Sequence, residues 1–352
     1  MAKQKTLKIL SRPQGNAEEY GRWSVNPYKG CSHGCLYCYL KKGVWANGLG
    51  GDTAQLKTGV VSDEHAYHLA MAEIIENKEQ IIKDGGLFMT FTSDPCAPET
   101  RLLFFHIASN AIEHGIPVTM LTKNADFFQY PTMMAMIEDT KHLMSLSDKG
   151  ERIVLNGSAF CTWFGDMHQH LVKPLVAFGW TLTGCDELEP NASPNEERIA
   201  TMKRMSDEGY LTWASIEPVI DFDASRKMII AALEAGCRHF KIGLLTNNTH
   251  VVRKPFCFGE HHFEAFDRDE AEWFVGVVMA LTEGRATVYW KQSFYEFLEQ
   301  REQSGTRSGS AESRQKSSEA QFFGDEPIHG MTVHEFLHQW PHSVDKDWSM
   351  FI

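Results

Sequence analysis

Three cysteines stand close together in Cys31-Ser32-His33-Gly34-Cys35-Leu36-Tyr37-Cys38, at C-x3-C-x2-C spacing. A loop this short can wrap three thiolates around one small inorganic core. Soft thiolates select zinc, copper(I) or iron–sulfur clusters. A closed structural zinc site and an ordinary iron–sulfur cluster both take four protein ligands. No fourth ligand stands nearby. Three cysteines on a four-iron cluster leave one iron open to an outside ligand, which a reactive centre needs and a structural one does not. The competing reading is a zinc loop that borrows a distant ligand, within a structural or partner-recruiting protein. Zinc knuckles ordinarily come as paired C-x2-C or Cys/His sets, which this loop is not.

Little else in the chain has ligand spacing. Cys161, Cys185, Cys237 and Cys257 form no C-x2-C pair, which argues against a second cluster. Asp166-Met167-His168-Gln169-His170 and His261-His262 lack a full ligand set and read as solvated or hydrogen-bonded histidines. No G-x-x-x-x-G-K-[ST] phosphate loop and no G-x-S-x-G elbow is present, which removes simple nucleotide-hydrolase and esterase readings.

The elements that must hold the loop follow from patterning. The chain has 352 residues, 43% of them apolar and 23% charged, with a net charge of −12. That is an ordinary globular composition with room for a sizeable core. The acidic balance argues against a strong nonspecific grip on nucleic acid. No run reaches the roughly eighteen apolar residues of a membrane span, and the first residues lack the apolar core of a signal peptide. Free thiolate ligands suit a reducing cytoplasm, and no membrane partner is expected.

Residues 1–22 read as a polar lead-in. Beyond the cysteine loop, helical spacing over 63–84, 99–114, 131–146, 195–208, 224–235 and 267–282 alternates with β-prone runs. Those runs lie at 87–91, 117–121, 153–160, 180–183, 211–216, 239–245 and 286–290. Strands alternating with helices predict an α/β fold with a parallel sheet and crossover helices. A full or partial (β/α) barrel over 23–245 fits best, with an α/β extension over 246–300. The runs near 155 and 181 compete for one sheet position. Residues 301–322 read as a disordered linker, and 323–352 as a tail with a short helix behind a capping box at Thr332–Glu335. Parallel barrels place their chemistry at the C-terminal ends of the strands. Thr92-Ser93-Asp94, Thr122-Lys123, Thr183 and Glu217 fall there.

With Tyr37 just before the last cysteine, the loop resembles the radical S-adenosylmethionine (SAM) superfamily. Four further stretches resemble its spore photoproduct lyase and DNA-photolyase-like branch. They are Phe91-Thr92-Ser93-Asp94-Pro95, Leu121-Thr122-Lys123, Leu188-Glu189-Pro190 followed by Glu197-Arg198, and Ser215-Ile216-Glu217-Pro218. The resemblance covers residues 23 to about 245. It implies a [4Fe–4S] cluster on Cys31, Cys35 and Cys38, with SAM at the open iron. One electron then splits SAM into methionine and a 5′-deoxyadenosyl radical, which abstracts hydrogen from a substrate. It implies SAM contacts from Tyr37, Ser93, Asp94, Lys123 and a hydroxyl at Thr183 or Ser158. Arg198 and Glu217 are further candidates, each with a salt bridge as the alternative. An electron donor such as a flavodoxin or ferredoxin is implied, and a nucleic acid or nucleotide substrate, with a peptide as rival. Phe127, Phe128, Tyr130, Phe256 and Phe258 are aromatic surface for either substrate, or core.

One departure stands out. In that branch a cysteine before the Ser-Asp pair returns hydrogen to the product radical, in relay with tyrosines flanking the last cluster cysteine. Here Tyr37 and Tyr39 are present, but Thr92 holds the cysteine's place. Cys96 replaces it only if its loop turns inward. Otherwise Cys96 is a small buried hydrophobe, and the reaction is not thymine-dimer reversal.

Overall fold

The computed structural model describes residues 7–43, 46–128, 173–247 and 250–299. Along the chain lie β1 (Leu10–Ser11), β2 (Ser24–Val25), β3 (Tyr28–Lys29), β4 (Gln55–Leu56), α1 (Asp63–Glu76), α2 (Lys78–Lys83), β5 (Leu87–Met89), α3 (Arg101–Glu113) and β6 (Val118–Thr122). Then come β7 (Val176–Thr181), α4 (Asn195–Asp207), β8 (Leu211–Val219), α5 (Phe222–Glu234), β9 (His239–Leu244), β10 (Thr246–Asn247), β11 (His250–Val251), β12 (Phe256–Phe258), β13 (His261–Phe263), α6 (Arg268–Thr282), β14 (Thr287–Trp290) and α7 (Gln292–Glu299).

Three of the helices, α1, α5 and α6, begin where a short polar side chain caps them. Ser62 Oγ accepts the His65 N–H at 3.1 Å and Asp221 the Ala224 N–H at 2.7 Å, while Asp267 accepts the Glu270 N–H at 3.0 Å. Asn77 breaks the single helix expected over 63–84, its side-chain amide donating back to the Glu73 carbonyl at 2.8 Å. Such a local bond offers the backbone an alternative to helix.

The main sheet runs β1-β2-β5-β6-β7-β8-β9-β14, antiparallel between β1 and β2 and parallel throughout the rest. Parallel strands covered on both faces read as continuous apolar runs. This explains the one shifted strand. The run Val176-Ala177-Phe178 belongs to β7, which therefore starts before the 180–183 stretch that alternation picks out. β7 fills the place between β6 and β8. The rival run near 155 lies outside the described residues, as do the 131–146 helix, Ser158, the linker and the tail. β14, from the expected extension, pairs with β9 in this same sheet.

A closed barrel is not formed among the described residues; β1 and β14 are free edges. The sheet nonetheless curves. The Tyr20 ring lies 5.6 Å from Phe88 on β5 and 6.1 Å from Trp213 on β8. A flat sheet would hold those strands about 14 Å apart. Helices pack on the outer face, where Phe104, Met202, Ile229 and Phe274 join Val118, Phe178, Ala214 and Phe240 in the main core.

The lead-in crosses the inner face and bridges toward β14. Glu19 accepts the Gln292 N–H at 2.7 Å and pairs with Lys291 at 3.3 Å. Lys241 donates to the Glu19 carbonyl at 2.7 Å. The Tyr20 hydroxyl meets Ser215 at 2.7 Å and donates to Glu217, which Lys291 also reaches at 2.6 Å. Polar side chains thus tie the lead-in to β8, β9 and the segment after β14.

Two outcomes follow from this packing. A Cβ on Gly179 would lie 2.1 Å from the Trp213 indole, so Gly179→Ala lowers unfolding stability by about 2–3 kcal/mol in denaturant titration. Burial, with the neighbouring Lys291 charge, depresses the Lys241 pKa to about 7, against the opposing pull of Glu19 and Glu217. The unfolded chain therefore binds the extra proton between pH 7 and about 10, and stability rises with pH across that window. Lys241→Met removes the rise, as measured by unfolding at both ends of the window.

Candidate functional site

The cysteine loop is clasped by two other loops. Gly30, at φ +80°, makes the entry turn, where a Cβ would sit 2.4 Å from the Thr53 carbonyl. The Gly30 and Cys31 amides donate to the carbonyls of Leu49 and Gly51 at 2.9 and 3.2 Å. On the other side the Leu36 N–H donates to Leu188 at 2.9 Å and the Asn191 N–H to His33 at 3.1 Å. Gly34, at φ +72°, lets Pro190 and Asn191 close in to 3.3 and 3.1 Å of where its Cβ would be. Cys35 and Tyr37 pack with Cys185, Leu188, Ile220 and Leu245 in a small apolar cluster, against which the β12–β13 hairpin lays Phe256, Phe258 and Phe263. Phe256, Phe258 and the buried Phe127 are therefore packing residues, while Tyr130 lies outside the described residues.

The thiols sit in a low-polarity setting. Burial pushes the Cys31 thiol up to about 12, helped by the charge of Asp94, and raises Cys35 as well. Lys123 opposes both shifts. Its own charge is disfavoured by burial, but Cys35, Glu189 and Cys38 outweigh that and raise its pKa. The ammonium stands 4.0 Å from Glu189 and 5.4 Å from the Tyr37 ring centre, and has no hydrogen-bond partner among the described residues.

Among the described residues no three His, Cys, Asp or Glu side chains converge on a point that could hold one metal ion. A tetrahedral zinc site needs that convergence. A four-iron cluster asks for something else, with each thiolate on its own iron and the sulfurs spread about its corners. Three thiols on one short loop, with Lys123 among the cations beside them, fit that second donor set.

Asp94 is buried and its carboxylate is fully engaged. One oxygen accepts the Cys96 N–H at 2.8 Å and the Thr122 hydroxyl at 2.6 Å. The other accepts the Lys123 N–H at 2.9 Å and lies 3.4 Å from His33 Nδ1. Ser93 is half-buried beside it. Glu189 accepts the Tyr37 hydroxyl and pairs with Arg198 at 2.6 Å, both charges wholly buried. Arg198 also donates to the carbonyls of Thr181 and Ser193 at 2.8 and 2.6 Å.

The structure brings Cys31, Cys35, Cys38, Tyr37, Ser93, Asp94 and Lys123 into one region, and the polar groups of several other expected contacts are taken up by partners of their own. Arg198 is a buried ion-pair partner. Glu217 belongs to the inner-face group with Tyr20 and Lys291. The Thr183 hydroxyl is buried and accepts the Cys185 N–H at 3.2 Å. Cys96 is 0% exposed within the main core, its N–H on Asp94 at 2.8 Å. Tyr39 is 55% exposed and donates its hydroxyl to the Phe91 carbonyl. Glu189 and His33 were not singled out by motif reading. Glu189 stands within a quoted stretch, and a lone acidic residue before a proline was its only signal.

Breaking a buried pair leaves an uncompensated charge. Arg198→Met is therefore expected to cost about 3–5 kcal/mol in denaturant unfolding, and the paired change with Glu189→Gln less.

No family model matches the chain, and no curated protein matches it in sequence. Among solved structures, two point mutants of spore photoproduct lyase each match with a TM-score of 0.50 and 13% identity, over 82% of this chain and 81% of theirs. SuiB of Streptococcus suis matches at a TM-score of 0.45 and 11% identity, over 81% of this chain and 53% of its own. The likeness to spore photoproduct lyase is one of fold, and it falls on the same branch that the sequence motifs resemble.

Proposed function

We propose that this chain is a radical SAM enzyme whose Cys31, Cys35 and Cys38 hold a [4Fe–4S] cluster. When bound, that cluster supplies the electron that cleaves SAM to methionine and a hydrogen-abstracting 5′-deoxyadenosyl radical. The observation that carries the reading is three thiols on one clasped loop beside the Lys123 ammonium, whose only carboxylate partner among the described residues is Glu189 at 4.0 Å.

The chain's own groups have separable tasks. Lys123 pairs with the SAM carboxylate, as a charge-assisted contact in a dry setting. Asp94 fixes the backbone from which Lys123 projects, by taking its N–H, and ties that backbone to His33 of the cysteine loop. The Ser93 hydroxyl offers a neutral contact beside them. Glu189, neutralised by Arg198, holds Tyr37 in place and leaves its weak pull on Lys123 at 4.0 Å. Leu36, exposed on the cysteine loop, is where a flavodoxin- or ferredoxin-type donor would approach. The proposed substrate is a nucleic acid or nucleotide. Threonine at position 92 points to a reaction other than dimer reversal.

Anaerobic reconstitution tests this. The chain is expected to take up about four irons and four sulfides and to form 5′-deoxyadenosine with dithionite and SAM. Cys35→Ala abolishes both. Lys123→Met keeps the iron and raises the KM for SAM by about tenfold. Oligonucleotides, and not peptides, stimulate turnover. One zinc per chain with no product would overturn the reading.

A further inference from the structure

Thr90 has a φ of +60°, and among the described residues no other non-glycine residue has a positive φ. A β-branched side chain is strained there, because its Cβ crowds the backbone carbonyl. The residue closes β5, which patterning would have continued to Phe91.

The geometry shows what the strained turn accomplishes. In a regular strand, Phe88 and Phe91 would point to opposite faces. Here they stack, with ring centres 4.4 Å apart and planes within 18°. The chain folds back in two steps, a three-residue turn over Met89 that sets the Thr90 N–H on the Phe88 carbonyl at 3.1 Å, then the left-handed Thr90 itself. Phe91 therefore returns to the inner face and meets Tyr20 at 6.1 Å. Its carbonyl turns to the cysteine loop, where it accepts the Tyr39 hydroxyl.

The Thr90 hydroxyl is a junction as well. It lies 3.3 Å from Asn26 Oδ1 and from Ser93 Oγ, and accepts the Thr92 N–H at 3.1 Å. Asn26 Oδ1 also accepts the Phe91 N–H at 2.8 Å. Asn26 stands on the segment that enters the cysteine loop. Thr92 closes the ring by donating its hydroxyl to the Tyr28 carbonyl at 2.5 Å. One buried side chain thus joins the entry of the cysteine loop to the start of the Ser93-Asp94 segment.

We infer that Thr90 is a positioning residue for the SAM site. Its backbone turn and its hydroxyl together set Ser93 and Asp94 against the cysteine loop. The inference rests on the function proposed above. Glycine would meet the backbone demand without the hydroxyl. Serine would keep the hydroxyl.

The test uses the full-length, reconstituted chain with Thr90→Ala, Thr90→Gly and Thr90→Ser. Thermal unfolding reads the turn. Glycine is at ease at positive φ, so the Gly variant is expected to melt above the Ala variant, the reverse of their order in ordinary extended backbone. The KM for SAM in 5′-deoxyadenosine formation reads the positioning. It is expected to rise about tenfold in the Ala and Gly variants, with a smaller change in kcat, and to stay within about twofold of wild type in the Ser variant. An Ala variant that melts above the Gly variant overturns the turn. Ala and Ser variants with the same KM overturn the positioning role. If the wild-type chain forms no 5′-deoxyadenosine, the functional reading fails and takes the positioning role with it, while the melting order still decides the turn.

Discussion

A single buried carboxylate, that of Asp94, joins the segments on which the candidate site depends. It gathers donors from its own loop after β5 and from the end of β6, and lies 3.4 Å from His33 of the cysteine loop. A buried charge is tolerated only where donors replace its water. The requirement runs both ways, because each donor segment is fixed wherever the carboxylate needs it. Lys123 inherits its position from this bond. Its ammonium can face the thiols because its backbone N–H is held elsewhere.

A second buried charge is handled differently. Glu189 is matched by Arg198, whose remaining donors are taken by main-chain carbonyls. Such a pair adds little net stability, and its value lies in fixing geometry. Here it stiffens the loop after β7 that grips the cysteine loop at Leu36 and His33. A third charged group, around Glu217, Lys291, Lys241 and Glu19, fills the inner face near the sheet's open side. The two charged systems are kept apart by aromatic packing through Phe91, Phe88 and Tyr20. Cys35 packs in an apolar cluster with Tyr37, Leu188, Ile220 and Leu245, with the Lys123 charge acting on its thiol.

How much of this was legible in the sequence depended on range. The cysteine loop spans eight residues, and its spacing alone pointed to a three-thiolate centre. The alternation of strands with helices is equally local, and the parallel sheet followed from it. The closed barrel did not follow, because whether a sheet closes depends on contacts such as Tyr20 with Glu217, nearly two hundred residues apart. Motif position marked Arg198 as a cofactor contact, but its partner Glu189 became visible only in three dimensions. Cys96 was ambiguous because nothing local says which way a loop turns. Thr90 was invisible for the opposite reason, since a threonine in a β-prone run gives no sign of a left-handed backbone.

The central claim is a cluster held by the protein at three corners, with its remaining iron turned toward SAM. Mössbauer spectroscopy of the anaerobically reconstituted, iron-57-labelled chain tests it most directly. The account predicts cubane iron signals in which one site alone changes when SAM is added. A spectrum that SAM leaves untouched, or a chain that takes up zinc and no cluster, would contradict it.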